Sequence, residues 1–322
     1  MLNYPLKFTP ILKDKIWGGD KLVANFNKKS SLKNVGESWE ISDVEGNNST
    51  VANGILKNTS LKTLLETYKS DLIGKNNYAN FGNNFPLLIK FIDAKQDLSV
   101  QVHPDNELSK KRHNSFGKTE MWYIMQAEEN ARLILGFKET ITPKQYVSLL
   151  EDKNILSVLN DVYVKNGDAF FIETGTVHAI GAGVVLAEIQ QTSDITYRIY
   201  DFDRTDDEGN ERELHTELAV DALNFSDKID TERSYSKESN TLNNVVNCSY
   251  FKTNFIPVSG KVELDYSKTD SFVIFMCVEG SAAITIFNTT ETIQFGETVL
   301  IPAIAETVII SSENCKLLEV TV

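Results

Sequence analysis

The stretch Gly167–His178, GDAFFIETGTVH, decides the fold. A Gly-Asp turn feeds the four apolar residues Ala169–Ile172, the length of one short buried strand. A second turn, ETGT, then delivers His178 to the start of another strand, HAIGAGVV. The unit recurs. GETVLIP, from Gly296 to Pro302, repeats the glycine, the acid, a four-residue largely apolar strand and a turn residue six positions after the glycine. Eleven positions beyond each glycine stand His178 in the first copy and Thr307 in the second. One copy keeps a possible ligand and the other keeps only turn and strand. That is the pattern of two related β-barrels, one bearing a site and one structural.

Working outward, LSVQVHPD (98–105) alternates: Ser99, Gln101 and His103 point to one face, Val100 and Val102 to the other. Pro104 cannot continue a ladder and ends the strand. Residues two apart on a strand sit roughly 6.7 Å apart at Cα, so Gln101 and His103 can reach one metal ion. The plainer alternative has His103 capping the strand end and Gln101 bonding backbone. KTEMWYIMQA (118–127) puts Lys118, Glu120 and Trp122 on one face. An unpaired carboxylate is costly among such large apolar residues, and a metal ion or a cation offsets that cost. PLLIKFIDA (86–94) is apolar on both faces except for Lys90, which must pair, reach a wet cavity or snorkel to an edge. VVLAEIQQTSDITYRIYDFDR (184–204) reads as two strands, with Asp194, Thr196, Arg198 and Tyr200 sharing one parity. Four residues along a strand span roughly 13 Å, so Asp194 and Arg198 meet one ligand only if a turn intervenes.

The remaining chain frames this region. Residues 1–57 are irregular with short strand-like pieces, in which KIWGG (15–19) and GESWEIS (36–42) supply tryptophan anchors for a β-rich core. Ser60 opens a helix in SLKTLLETYKSDLIG with a stop at Gly74, and the Asn/Gly-rich residues 75–84 form a loop. DNELSKKRHNSFG (105–117) gives a short helix and loop carrying His113. Residues 142–160 read as a helix with Thr142 as N-cap and Pro143 in the first turn. A further helix in ELHTELAVDALNF (213–225) has Leu214, Leu218, Ala219 and Leu223 on its buried side and His215 on its surface. Residues 226–245 are a polar connection, and Val246–Val322 is a succession of short apolar strands. Two units are expected, residues 1–235 with the site and peripheral helices, and residues 236–322 as a metal-free barrel.

The 322 residues are 41% hydrophobic and 24% charged, ordinary for a soluble globular protein. A net charge of −13 argues against a nucleic-acid partner and requires a local basic cluster for any anionic substrate. The N-terminus lacks the pattern of a secretory signal, and no run approaches the length of a membrane span. Three scattered cysteines, Cys248, Cys277 and Cys315, fit a reducing cytoplasm better than a disulfide framework.

His103, Glu120 and His178, with Gln101 beside them, form a set suited to catalytic Zn²⁺. Two histidines and one carboxylate equally suit non-haem iron. Lys90, Lys118 and Arg198 add three cations on strands, apt for a phosphorylated or otherwise anionic substrate. The glycine–strand–turn–histidine unit resembles the second motif of the cupin superfamily, with Glu173 replacing the usual turn proline. LSVQVHPD, GKTEMWYI, GTVHAIGAG and SDITYRIYDFDR together resemble type I mannose-6-phosphate isomerases in their short bacterial form. The likeness runs from KIWGG to the helix ending near Phe225, and the terminal barrel matches more loosely.

That resemblance implies a mainly β fold of two cupin-type jelly-roll barrels with a few peripheral helices. It implies one Zn²⁺ per chain on Gln101, His103, Glu120 and His178, with Gln101 the ligand position that varies among short members. It places Arg198, Lys118 and Asp194 at the chemistry, and Lys90, Ser99 and Arg198 on the substrate, with Ser99 and a lysine taking the phosphate. Larger relatives carry a helical domain between the second and third ligand motifs; only 57 residues separate Glu120 from His178 here, so it is missing. The implied reaction interconverts mannose 6-phosphate and fructose 6-phosphate through a cis-enediol(ate), with Asp194, Lys118 or a metal-bound water moving the proton. An iron-dependent cupin dioxygenase and a non-catalytic sugar-phosphate-binding cupin are the rival readings. Oligomeric state is left open.

Overall fold

Alternating strands and strands apolar on both faces separate into two facing sheets in the computed structural model, which describes residues 2–206, 208–227 and 229–322. A five-stranded sheet runs in the order Leu159–Tyr163, Arg132–Phe137, His178–Ile180, Val100–Val102, Tyr197–Tyr200. A six-stranded sheet faces it in the order Ala169–Ile172, Glu120–Ala127, Val184–Gln191, Leu87–Ala94, Ile11–Gly19, Val35–Ile41. The last strand also pairs with Leu87–Ala94. Trp17, Ile92, Leu98, Trp122, Leu133, Phe170, Ile180 and Leu186 fill the space between the two sheets.

The central strands of the six-stranded sheet are covered on both faces. Its other side carries Ile89, Phe91, Met121, Tyr123 and Ala187, which cluster with Phe255, Phe272, Ile274 and Leu318 from the C-terminal strands. Leu87–Ala94 and Val184–Gln191 are therefore buried at every position. The outer face of the five-stranded sheet is covered by the helices Pro143–Glu151 and Thr216–Ala222, through Tyr146 and Ala219 against Val102, Ile134 and Tyr197.

The C-terminal unit is an antiparallel sheet in the order Asn243–Asn247, Lys252–Asp265, Thr307–Thr321, Val273–Ile286, Thr289–Gln294, with Thr298–Ile301 added on Val273–Ile286. It encloses its own core around Ile256, Phe275, Ile284, Val299 and Leu317. The repeat is visible in space. Gly167 and Gly296 both turn with positive φ, at 85° and 78°, a conformation that costs glycine little. Each is followed by a four-residue buried strand, and His178 and Thr307 each open the next one. Thr307 is exposed and sits opposite Asp265 in the ladder.

Local pattern and structure part in five places. The helix opened by Ser60 does not run unbroken to Gly74: Lys69, at φ 50°, divides it into Leu61–Tyr68 and Ser70–Ile73. Residues 75–84 are not a loop: Lys75–Phe81 is helical, because the Asp270 carboxylate accepts from the Lys75 and Asn76 N–H groups at 2.7 and 2.9 Å. That cap arrives from nearly two hundred residues away. The helix opened by Thr142 has its capping box with Gln145 but ends at Glu151. A 3₁₀ turn, Ile155–Val158, follows, and Leu159–Tyr163 pairs as a strand with Arg132–Phe137. Leu214 precedes the helix that starts at Thr216 and is 44% exposed, so it is not part of the buried side. The N-terminal pieces are full-length members of the large sheet. Among the described residues no helix is long and apolar enough to cross a membrane.

Candidate metal centre and substrate cavity

The site grows from two rows of register partners. On the five-stranded sheet His178 stands opposite Gln101, and Gln101 opposite Arg198, so the three side chains lie abreast. His103 follows one residue past the strand end, and Glu120 opens a strand of the facing sheet. One ligand atom from each of His103, Glu120 and His178 lies within 4.8 Å of the others, all three residues buried. His103 Nδ1 is 2.9 Å from the Ile195 carbonyl, and His178 Nδ1 is 2.9 Å from the Thr176 carbonyl. A carbonyl can only accept, so Nδ1 carries the hydrogen in both rings and each Nε2 lone pair is turned inward. Those Nε2 atoms lie 3.8 and 3.6 Å from the Glu120 oxygens. Gln101 Nε2 lies 3.2 Å from His178 Nε2, and a half-turn of the amide presents Oε1 at the same place.

The electrostatics suit a cation. Neither Glu120 oxygen accepts a well-directed hydrogen bond, although the Lys118 ammonium comes within 3.2 Å of Oε2 and 3.0 Å of His103 Nε2. Burial pushes the Glu120 carboxyl up to about 7 against the pull of Lys118. Burial pushes His178 down to about 4, and burial with Lys118 holds His103 well below the usual imidazole range. Two neutral imidazoles with their Nε2 lone pairs turned inward and a buried carboxylate that accepts no well-directed hydrogen bond make a donor set that fits a divalent metal ion.

The second row crosses the six-stranded sheet: Trp122, Glu188, Lys90 and Trp39 are successive register partners. Lys90 donates to Glu188 Oε1 at 2.9 Å, and Trp122 Nε1 donates to Oε2 at 2.9 Å. Lys90 is thus paired rather than snorkelling. Beside it, Glu37 accepts from Trp39 Nε1 at 2.6 Å and pairs with Lys15 at 3.1 Å. Burial would raise that carboxyl, but Lys90 and Lys15 outweigh it and hold Glu37 at about 2.

Between the rows lies a cavity of about 440 Å³ whose walls include Lys90, Ser99, Gln101, Lys118, Asp194 and Arg198. The residues singled out in the sequence therefore gather in one region, with His103, Glu120 and His178 buried beside Gln101 and Lys118. Asp194 and Arg198 share the cavity because regular strand begins only at Tyr197. Arg198 Nη1 donates to the Glu213 carbonyl at 2.7 Å, while its buried Nε has no partner among the described residues. His113 and His215 are outside the cavity. His113 Nε2 lies 2.8 Å from the Tyr197 hydroxyl, and His215 Nδ1 accepts from the Arg198 N–H.

The sequence reading passed over Glu188, Glu37, Lys13, Lys15 and Arg212, all on the cavity wall. Glu188 carried the same signal as Lys90, a charge inside an apolar run. Lys13 and Lys15 share the parity of Trp17, but nothing local ties that strand to this sheet.

Two β-barrels, one with a buried His/Glu/His group able to hold a metal ion beside a cation-lined cavity, define a cupin with a candidate metal centre. Residues 6–133 match the family model for the phosphomannose isomerase type I catalytic domain, and residues 240–322 that for the mannose-6-phosphate isomerase cupin domain. The mannose-6-phosphate isomerase ManA of Bacillus subtilis (strain 168) is 36% identical over 283 residues, 87% of each chain. The mannose-6-phosphate isomerase of Streptococcus mutans is 33% identical over 299 residues, 92% of each chain. The crystal structure of the mannose 6-phosphate isomerase from Bacillus subtilis aligns with a TM-score of 0.90 at 32% identity, covering 99% of this chain and 100% of that one. This chain belongs to the type I phosphomannose isomerase family.

Proposed function

We propose that this chain is a zinc-dependent aldose–ketose isomerase that interconverts mannose 6-phosphate and fructose 6-phosphate. The observation that carries the reading is the His103–Glu120–His178 group set beside a cavity walled by cations in an otherwise acidic protein. His103, Glu120 and His178, with Gln101 as a fourth neighbour, hold the zinc, which when bound supplies Lewis-acid stabilisation of negative charge on a sugar oxygen.

The chain's own groups do the rest. The open-chain sugar exchanges one proton between C1 and C2, and negative charge develops on O1 or O2 as the cis-enediol(ate) forms. Arg198 stands abreast of Gln101 with an unpartnered Nε and stabilises that charge in the transition state. Two groups on the wall can move the proton, Lys118 Nζ beside the ligand set and the Asp194 carboxylate. Ser99 and Lys90 face the sugar between them, and Glu188 holds Lys90 in place. Residues 1–235 form the catalytic unit in this reading and residues 236–322 a metal-free barrel. The odd number of cysteines, two of which (Cys277 and Cys315) lie as free thiols with their sulfurs 3.7 Å apart, is the support for a cytoplasmic location in this reading.

The test is metal analysis combined with a coupled isomerase assay under anaerobic conditions. About one zinc per chain is expected, with activity lost to chelators and regained with Zn²⁺. Isomerisation that continued undiminished in thoroughly metal-free protein would sink the metal assignment. Zinc-loaded protein inert toward mannose 6-phosphate would sink the function.

A further inference from the structure

Six cationic side chains line the cavity: Lys13, Lys15, Lys90, Lys118, Arg198 and Arg212. Four of them already face an acid. Lys15 pairs with Glu37 at 3.1 Å, Lys90 with Glu188 at 2.9 Å, Lys118 with Glu120 at 3.2 Å and Arg212 with Asp201 at 2.6 Å. Among the described residues the Arg198 guanidinium bonds a backbone carbonyl, that of Glu213, and pairs with no carboxylate. Lys13 has the side-chain oxygen of Asn47 and the face of Trp39, whose ring centre lies 4.6 Å from its ammonium. Among the described residues no carboxylate forms an ion pair with Lys13. Glu37 and Asp194 act on it at longer range, opposed by Lys15 and by burial, which lower its pKa.

Position separates the two unpaired cations. Arg198 stands one strand from Gln101, near the metal group. Lys13 pairs in register with Glu37, which leads through Ile92 and Leu186 to Ile124 on the strand of Glu120. Those are four strand-to-strand steps of roughly 4.8 Å each, so Lys13 lies at the far side of the wall. A hexose phosphate reacting at C1 and C2 carries its phosphate at the other end of the carbon chain. That group bears nearly two negative charges at neutral pH. Lys118 sits too close to the ligand set to take it, and Lys90, against the same Trp39 ring at 5.3 Å, is already neutralised by Glu188.

We infer that Lys13, oriented by Asn47 and stacked on Trp39, is the cation that recognises the substrate phosphate and sets the preference for phosphorylated over free hexose. The inference rests on the isomerase reading above. Lys13 is a specificity residue and takes no part in the proton transfer.

Steady-state kinetics of zinc-loaded wild type, Lys13→Gln and Lys13→Arg test it, with inorganic phosphate as competitive inhibitor. Loss of one charge-assisted contact predicts a KM for mannose 6-phosphate about tenfold to a hundredfold higher in Lys13→Gln. Its kcat should stay within about twofold, the phosphate inhibition constant should rise in parallel with KM, and turnover of unphosphorylated mannose should match wild type. Lys13→Arg should recover most of the loss. An unchanged KM and phosphate constant in Lys13→Gln overturn the inference, as does an equal fall in mannose turnover, which would mark a structural role. Lys13→Met, which keeps the stem on Trp39, substitutes if the glutamine variant fails to fold. Should wild type not isomerise mannose 6-phosphate, the underlying reading fails by itself. Calorimetric titration with inorganic phosphate then still decides on Lys13: weaker binding in Lys13→Gln supports the assignment, and equal binding refutes it.

Discussion

Glu188 holds two donors from inside a sheet, and its removal has a calculable consequence. In Glu188→Ala the ammonium of Lys90, a residue 5% exposed, loses its partner at 2.9 Å, and the buried Trp122 N–H loses its only acceptor among the described residues. Breaking a buried ion pair from one side costs about 3–5 kcal/mol, and an orphaned buried N–H costs about 1–3 kcal/mol. Glu37 remains as a second counter-charge for Lys90 and returns part of this. The expected net loss is about 3–5 kcal/mol, read as a shift of the urea midpoint at constant slope. Glu188→Gln keeps an acceptor for one donor and should lose about half as much. The decisive comparison is a double variant. Lys90→Met with Glu188→Leu removes both charges and fills similar volume but still leaves the Trp122 N–H without that acceptor, so it should fall about 1–3 kcal/mol below wild type, more stable than Glu188→Ala. With the single variants Lys90→Met and Glu188→Leu completing the cycle, the coupling between the two positions should reach at least about 2 kcal/mol. If Glu188→Ala lost less than about 1 kcal/mol, or the double variant were the least stable of the set, the pair would not be what holds this charge inside the sheet.

Two further outcomes follow from the site. Arg198→Ala should lower kcat and kcat/KM together by about 10²–10³-fold with zinc retained; a raised KM at near-normal kcat would instead assign Arg198 to ground-state binding. Arg198→Lys, which keeps charge but loses the planar fork, should recover little of the rate. Thr307→Ala should leave zinc content and turnover nearly unchanged, because the residue is exposed at the position where the first copy of the repeat has His178; loss of metal in that variant would mean the two copies are wrongly paired.

What could be read from the chain divides along a physical line. The candidate ligands were legible because each broke a local pattern: polar Gln101 and His103 beside valines, Glu120 among aromatics, His178 after a glycine turn; the structure gathers His103, Glu120 and His178 into one buried group with Gln101 beside it. Lys90 was legible for the same reason. Its partner was not, because the pairing of Glu188 with Lys90 exists only once two strands 98 residues apart are in register. The helix Lys75–Phe81 was invisible because its cap, Asp270, belongs to the other unit. The span after Thr142 misled because apolar spacing cannot distinguish a third helical turn from a 3₁₀ turn and an edge strand. The N-terminal lysines needed the sheet order itself, which brings Ile11–Gly19 beside Leu87–Ala94.

The same sheet explains why a barrel without a ligand histidine is retained. Trp122, Glu188, Lys90 and Trp39 lie in one row across four neighbouring strands. Between them on each strand stand residues of opposite parity, among them Tyr123, Ala187, Ile189 and Phe91. Facing water, that side would be a large exposed apolar patch. Phe255, Phe272, Ile274 and Leu318 of the C-terminal strands cover it, so the second unit is the back wall of the sheet that carries the charged row. Close packing on the back keeps the strands in a single register, and register is what sets Lys90 against Glu188. A covering role of this kind requires the apolar strands of the repeat and makes no demand on the residue at Thr307.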